Sequence, residues 1–173
     1  VEIKTKVILG LGANLGDRLE TLQLACAQLQ KHVGQITSIS SIYESSSWGF
    51  ETSDKFFNAC ITIDTALTPG QLLSKIQLIE QTLGRLRNEG TARYTSRTID
   101  IDILYFGKQQ IKLPNLIVPH PEIPNRKFVL YPLQELNETF FQSLPYQTIE
   151  EMIRACADEI EPVSIIENWL QPF

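Results

Sequence analysis

The chain reads as a single α+β domain, a sandwich of helices on a mixed, mostly antiparallel sheet with a ferredoxin-like core. Three observations predict this class. Segments of strand and helix character follow one another as β-α-β-β-α-β before shorter elements close the chain. The length of 173 residues suits one core that buries roughly 70% of the unfolded surface. No internal repeat, low-complexity tract or linker divides residues 1–173.

Each element has a local reason. "KVILGLG" (6–12) predicts a first strand ending in a glycine turn. Gly10, Gly12 and Gly16 fall one residue too wide for a dinucleotide fingerprint and read as a strand-to-helix turn. Asp17, with Glu20 three residues on, caps a helix over 18–31 whose apolar stripe is Leu19, Leu22, Cys26 and Leu29. "ITSISSIYES" (36–45) and "KFFNACITID" (55–64) predict the second and third strands. Thr68 and Pro69 start a second helix that carries Leu72, Leu73, Ile76, Ile79 and Leu83 to a stop at Gly84. "RTIDIDILYF" (97–106) predicts a central strand, and 109–112 with 116–119 a short extended pair. Residues 125–136 predict a short helix broken at Pro132, 148–159 a last helix, and 163–169 a closing edge strand. The loops 44–55 and 85–96 are long for a compact domain and are candidate lids.

Composition narrows the chemistry. A net charge of −5 argues against a general nucleic-acid binder. Four of the seven arginines (Arg85, Arg87, Arg93, Arg97) fall within residues 85–97, which leaves the rest of the chain more acidic still. A local cationic patch on an acidic protein suits a small polyanion. No apolar run approaches the roughly 20 residues of a membrane span, and the start has no signal-peptide pattern. Cys26, Cys60 and Cys156 are odd in number and far apart, which predicts a reducing cytoplasm. His32 and His120 are isolated from one another and from the cysteines, so a zinc site is not expected.

Asp100 and Asp102 pose the sharpest question. On a strand they share one face with Thr98 and Leu104, their Cα atoms roughly 7 Å apart. Two neighbouring carboxylates resist burial unless a positive charge joins them. Paired oxygen ligands suit Mg²⁺ delivered with substrate phosphates, and two such ions can clamp a phosphoryl centre. An arginine loop just upstream supplies planar donors matched to phosphate oxygens, with Arg97 three residues from Asp100. Asn58, amid apolar strand residues, needs hydrogen-bond partners; it suits either a cross-strand bond or the edge of a heterocycle flanked by Phe56 and Phe128. His120, in the proline-rich "VPHPEIPNRKF", is near Arg126 and Phe128 and reads as a ligand contact or as a structural histidine.

Taken together, "LGLGANLGDR", "SSIYESSSWG", "FFNACI", "IEQTLGRLR", "RTIDIDILYFG" and "VPHPEIPNRKFVLYPL" resemble the 6-hydroxymethyl-7,8-dihydropterin pyrophosphokinase family of folate biosynthesis. The resemblance implies a three-layer α-β-α sandwich around a mostly antiparallel sheet, and transfer of pyrophosphate from ATP to the pterin hydroxymethyl group with release of AMP. It implies that Asp100 and Asp102 hold two Mg²⁺ ions and that Arg85 and Arg97 stabilise the transferring group. Gln77, Glu80, Arg87, Arg93, Tyr94, Ile103, His120 and Arg126 would meet the nucleotide, with Tyr94 standing where relatives carry a lid tryptophan. Ser45, Ser46, Trp48, Phe56, Asn58 and Phe128 would line the pterin pocket. A cytoplasmic monomer acting on small molecules, without nucleic acid or membrane, completes the expectation. Palm-type nucleotidyl cyclases and polymerases are the competing class, because they too place paired carboxylates on a ferredoxin-like sheet. A non-catalytic ligand-binding module is the third.

Overall fold

A computed structural model of the chain describes residues 1–46, 55–84, 99–138 and 148–171. The elements are β1 (Thr5–Ala13), α1 (Arg18–His32), β2 (Gly34–Ile39), β3 (Ile42–Ser45), β4 (Phe56–Thr65), α2 (Pro69–Thr82), β5 (Asp100–Phe106), β6 (Ile111–Leu113), β7 (Leu116–Val118), α3 (Lys127–Leu136), α4 (Ile149–Ala155) and β8 (Val163–Ile166). Among the described residues, six strands form one sheet in the order β5-β1-β4-β3-β8, with β2 also paired to β4; β6 and β7 form a separate hairpin. The recorded ladders are antiparallel. Placing β4 between β1 and the β2–β3 pair gives the split βαβ arrangement of a ferredoxin-like core.

The caps that the sequence advertises are made. Asp17 accepts from the Glu20 amide at 3.0 Å, and Thr68 and Gln71 form a reciprocal capping box at the start of α2. Gly84, at φ +94°, ends the second helix in the left-handed region that glycine tolerates. Strand alternation then sorts the apolar residues into two cores. Val7, Leu9, Leu11, Ile61, Ile63, Ile101 and Ile103 face α1 and α2. Ile8, Cys60, Leu104 and Tyr105 face α3 and α4.

Several expectations need correction. The second strand is two: β2 and β3 flank Ser40 and Ser41 and pair with different halves of β4. The break has a purpose, since Ser41 N and Oγ and Tyr43 Oη donate to Glu135 on α3, at 2.9, 2.6 and 2.9 Å. Helix α3 runs through Pro132 rather than breaking there. Only Phe128, in the first turn, loses the amide that position 132 would otherwise send it, while the ring packs in the core. Helix α4 is shorter than expected, ending at Ala155, and β8 stops at Ile166. Beyond β8 the chain is anchored by Trp169, 5% exposed, whose indole N–H donates to Ser40 O at 2.8 Å.

Strand β5 is an edge strand, not a central one. Its composition misleads because helices bury it on both faces, as they would a central strand. Its open side is partly closed by Glu80 of α2, 3% exposed, whose Oε1 accepts from Ile101 N at 2.9 Å. Among the described residues, no helix is long and apolar enough to cross a membrane.

Candidate active site

The sheet places the aspartates by register. Asp100 pairs with Gly12 and Asp102 with Gly10 across β1. The same glycines pair with Asn58 and Cys60 on β4, and Asn58 pairs in turn with Tyr43 on β3. Two parallel rows therefore cross the sheet on its α3 side: Asp100, Gly12, Asn58, Tyr43, and below it Asp102, Gly10, Cys60. At about 4.8 Å between strands, Asp100 and Asn58 stand roughly 10 Å apart with only glycine between them. The sequence reading put Gly10 and Gly12 in a turn; β1 instead runs straight through both to Ala13. They are the bare floor of the site, and Gly16, at φ +62°, is the turn glycine.

The electrostatics agree with this register. Burial first, and then the negative charge of Asp102, push the Cys60 thiol up, so it stays protonated. Both aspartates are half-buried. They share the face that the alternation predicts, and a bulge next to them adds a second effect. The ladder to β1 shifts between Ile8, opposite Tyr105, and Leu9, opposite Ile103. Leu104 is the extra residue, and both Leu104 and Tyr105 turn into the α3 core. The Leu104 carbonyl accepts from His120 N at 3.0 Å, which docks the proline-rich loop beside the aspartates.

His120 is held in one tautomer. Its Nδ1 accepts from Glu122 N at 3.2 Å, leaving Nε2 as the ring donor. Burial first, then the charge of Arg126, lowers its pKa, opposed by Glu122 and Asp100. The linkage has a definite sign. A folded pKa below the unfolded value means that the unfolded chain binds the proton more readily. The stability held by neutral His120 is therefore complete above the unfolded value and is lost as pH falls through the folded one. His120→Gln, which cannot titrate, removes that segment of the stability–pH curve below about pH 6.5, as urea titrations over a pH series will register; an unchanged curve contradicts the assignment.

The residues expected around a heterocycle stand on the same side of the sheet. Asn58, 6% exposed, donates from Nδ2 to Ser45 Oγ at 3.1 Å, so the cross-strand bond foreseen for it is present. Phe56 shares its face by alternation, and Phe128 packs against the α3 core. Ser45 is buried and Ser46 exposed at the end of β3. Tyr43, beside them, is pushed up to about 12 by burial and by its bond to Glu135, so it remains a phenol. One positioning contact escaped the sequence reading. Arg18 donates to Lys55 O at 2.6 Å and stacks 4.0 Å over the Phe57 ring, fixing where the chain enters β4 just before Phe56. Only its nearness to the N-cap Asp17 could have drawn attention to it.

Nucleotide candidates divide differently. Arg126 is half-buried, with its guanidinium 5.8 Å from the Phe128 ring. Ile103 turns its side chain into the opposite core, so only its main chain is left to meet a ligand. Gln77 and Glu80 belong to α2, on the far layer, and Glu80 reaches the main chain between the aspartates. Glu80→Ala leaves the Ile101 amide, between the two aspartates, without this acceptor. The expected cost is about 1–3 kcal/mol of stability, measurable by denaturant unfolding. Glu80→Gln, which keeps an acceptor, should recover most of it; equal losses would show that the bond contributes nothing. Arg85, Arg87, Arg93, Tyr94, Arg97 and Trp48 lie outside the described residues.

The donor set fits a hard divalent cation. Asp100 and Asp102 offer carboxylate oxygens on one face of β5, opposite residues that add no side chain of their own, with Leu104 lying over Gly10. Among the described residues, no group of three or more His, Cys, Asp and Glu is arranged to hold a metal ion.

Comparison with known proteins gives the family. A sequence model described as 7,8-dihydro-6-hydroxymethylpterin-pyrophosphokinase (HPPK) matches residues 8–138. The 2-amino-4-hydroxy-6-hydroxymethyldihydropteridine pyrophosphokinase of Bacillus subtilis (strain 168) is 43% identical over 129 residues, 74% of this chain and 75% of that one. The protein of the same name from Aquifex aeolicus (strain VF5) is 36% identical over 167 residues, 96% of this chain and 94% of that one. Wild-type HPPK-DHPS of Plasmodium falciparum superposes with a TM-score of 0.67 at 16% identity, over 88% of this chain and 45% of its own, a likeness of fold. The chain belongs to the 7,8-dihydro-6-hydroxymethylpterin-pyrophosphokinase family.

Proposed function

We infer that the chain transfers a pyrophosphoryl group from ATP to the hydroxymethyl group of 6-hydroxymethyl-7,8-dihydropterin, releasing AMP. The observation that carries this reading is the row Asp100, Gly12, Asn58. A carboxylate suited to metal-bound phosphates and an amide suited to a heterocycle on one face of the sheet support this reading. The hydroxymethyl oxygen forms a bond to the β-phosphorus and gives up its proton. The bond from that phosphorus to the α,β-bridging oxygen breaks, and AMP leaves with the oxygen.

Asp100 and Asp102 would hold two Mg²⁺ ions with ATP. Bound there, Mg²⁺ supplies charge neutralisation on the phosphates. The remaining work falls to side chains. Arg85 and Arg97 neutralise charge on the transferring group, and Arg87, Arg93 and Tyr94 belong to the loop that carries them. His120 Nε2 and Arg126 donate to phosphate oxygens, and Gln77 and the Ile103 main chain meet the nucleotide at the β5 edge. Asn58 reads the pterin edge, Phe56 and Phe128 flank its ring, and Ser45, Ser46 and Trp48 close the lip. Three free cysteines suit the cytoplasm, and the acidic net charge suits a monomer acting on small molecules, with neither nucleic acid nor membrane as partner.

Incubation with ATP, Mg²⁺ and the hydroxymethyl-dihydropterin tests the reading. Equal amounts of AMP and pterin diphosphate support it. A cyclic nucleotide or polymer would instead indicate attack at the α-phosphorus, and ligand binding without turnover a non-catalytic module.

A further inference from the structure

Gly12 lies between the two ends of the site and has a constraint that Gly10 lacks. A Cβ at Gly10 would meet the terminal carbons of Leu104, 3.3 Å away, which a flexible side chain can yield. A Cβ at Gly12 would stand 3.0 Å from Asn58 Oδ1. The other end of that amide is held, since Nδ2 donates to Ser45 Oγ on β3. Asn58 thus lies flat across the sheet, its donor end anchored over β3 and its acceptor end resting on Gly12 of β1. A buried amide fixed in this way has little freedom to retreat.

We propose that Gly12 is a specificity-determining position of the pterin pocket: the absence of a side chain there keeps the Asn58 carbonyl lowered onto β1 and aimed at a ring N–H or exocyclic amine. This rests on the pyrophosphokinase reading and names how one subsite is shaped. An alanine methyl would lift or turn the amide, break its bond to Ser45 or misdirect Oδ1. Nucleotide contacts, on the β5 side and the α3 loop, would be left in place.

The test is a double-mutant cycle on pterin binding, read by calorimetric titration of hydroxymethyl-dihydropterin into protein holding a non-hydrolysable ATP analogue and Mg²⁺. Gly12→Ala should weaken pterin binding about 10- to 100-fold, with ATP-analogue affinity within about 2-fold. In the Asn58→Ser background, where the shortened side chain no longer meets the methyl, the same substitution should have little further effect. Gly12→Ala binding as wild type overturns the proposal, and so does a further loss of about 10- to 100-fold when Gly12→Ala is added to Asn58→Ser, measured against Asn58→Ser alone. If Gly12→Ala alone fails to fold, the double variant decides. Recovery of a cooperative melt supports the clash with Asn58, and continued failure shows that glycine is needed for the strand itself. Wild-type protein that binds no pterin would sink the pyrophosphokinase reading instead, a separate outcome.

Discussion

Asp102→Asn should lower the turnover of ATP and hydroxymethyl-dihydropterin by more than about 100-fold, while the protein still folds. The substitution preserves size, exchanges one acceptor oxygen for an amide donor and removes one unit of charge from a half-buried position paired with Gly10. The affected charge is one that the surroundings register, since Asp102 is the second cause, after burial, of the raised Cys60 thiol pKa. Two carboxylates on one strand face concentrate negative charge, which gives the site its demand for a divalent cation. Asparagine removes that demand, and the Mg²⁺ dependence of the rate should shift to higher concentrations. Steady-state kinetics over a magnesium series measures both effects. Activity near that of wild type at limiting Mg²⁺ would contradict a ligand role for Asp102, and a lost cooperative melt would assign the defect to folding instead.

The parts of the molecule legible in the sequence are those set by local chemistry. Asp17 and Thr68 announce their helices because a side-chain oxygen satisfies amides only a few residues away. The common face of Asp100 and Asp102 follows from strand alternation alone. What the sequence concealed depends on partners distant along the chain. A glycine after a run of β-formers resembles a turn, and only the register with β4 and β5 shows Gly10 and Gly12 to be a floor between Asn58 and the aspartates. Strand β5 looked central because burial on both faces governs its composition, whereas its edge position depends on which strand it pairs with. The bulge at Leu104 is equally silent in sequence, since Leu104 and Tyr105 satisfy either face. Ile103 and Glu80 show the same limit in the site. The fold sends the Ile103 side chain into the opposite core and sets a Glu80 oxygen on a main-chain amide, contacts that no local pattern announces.

Arg97→Ala should reduce the single-turnover rate about 10²- to 10³-fold and change pterin affinity far less. Arg97 is three residues before Asp100, so its Cα lies within about 11 Å of that of Asp100 whatever the path between them. A long guanidinium side chain covers much of that distance, so a triphosphate held over the aspartates is within its reach. Its value there is differential. As the bond to the β-phosphorus forms and the bond to the bridging oxygen breaks, charge moves onto oxygens that a planar fork of donors can meet more closely than in the ground state. A contact that strengthens along the reaction lowers the barrier, while one that is equally strong throughout changes only binding. Rapid-quench measurement at saturating ATP and pterin separates the two, and Arg97→Lys sharpens the comparison, because a lysine keeps the charge but not the fork. A raised dissociation constant with an unchanged single-turnover rate would make Arg97 a binding residue, and full recovery by lysine would leave charge alone as its contribution.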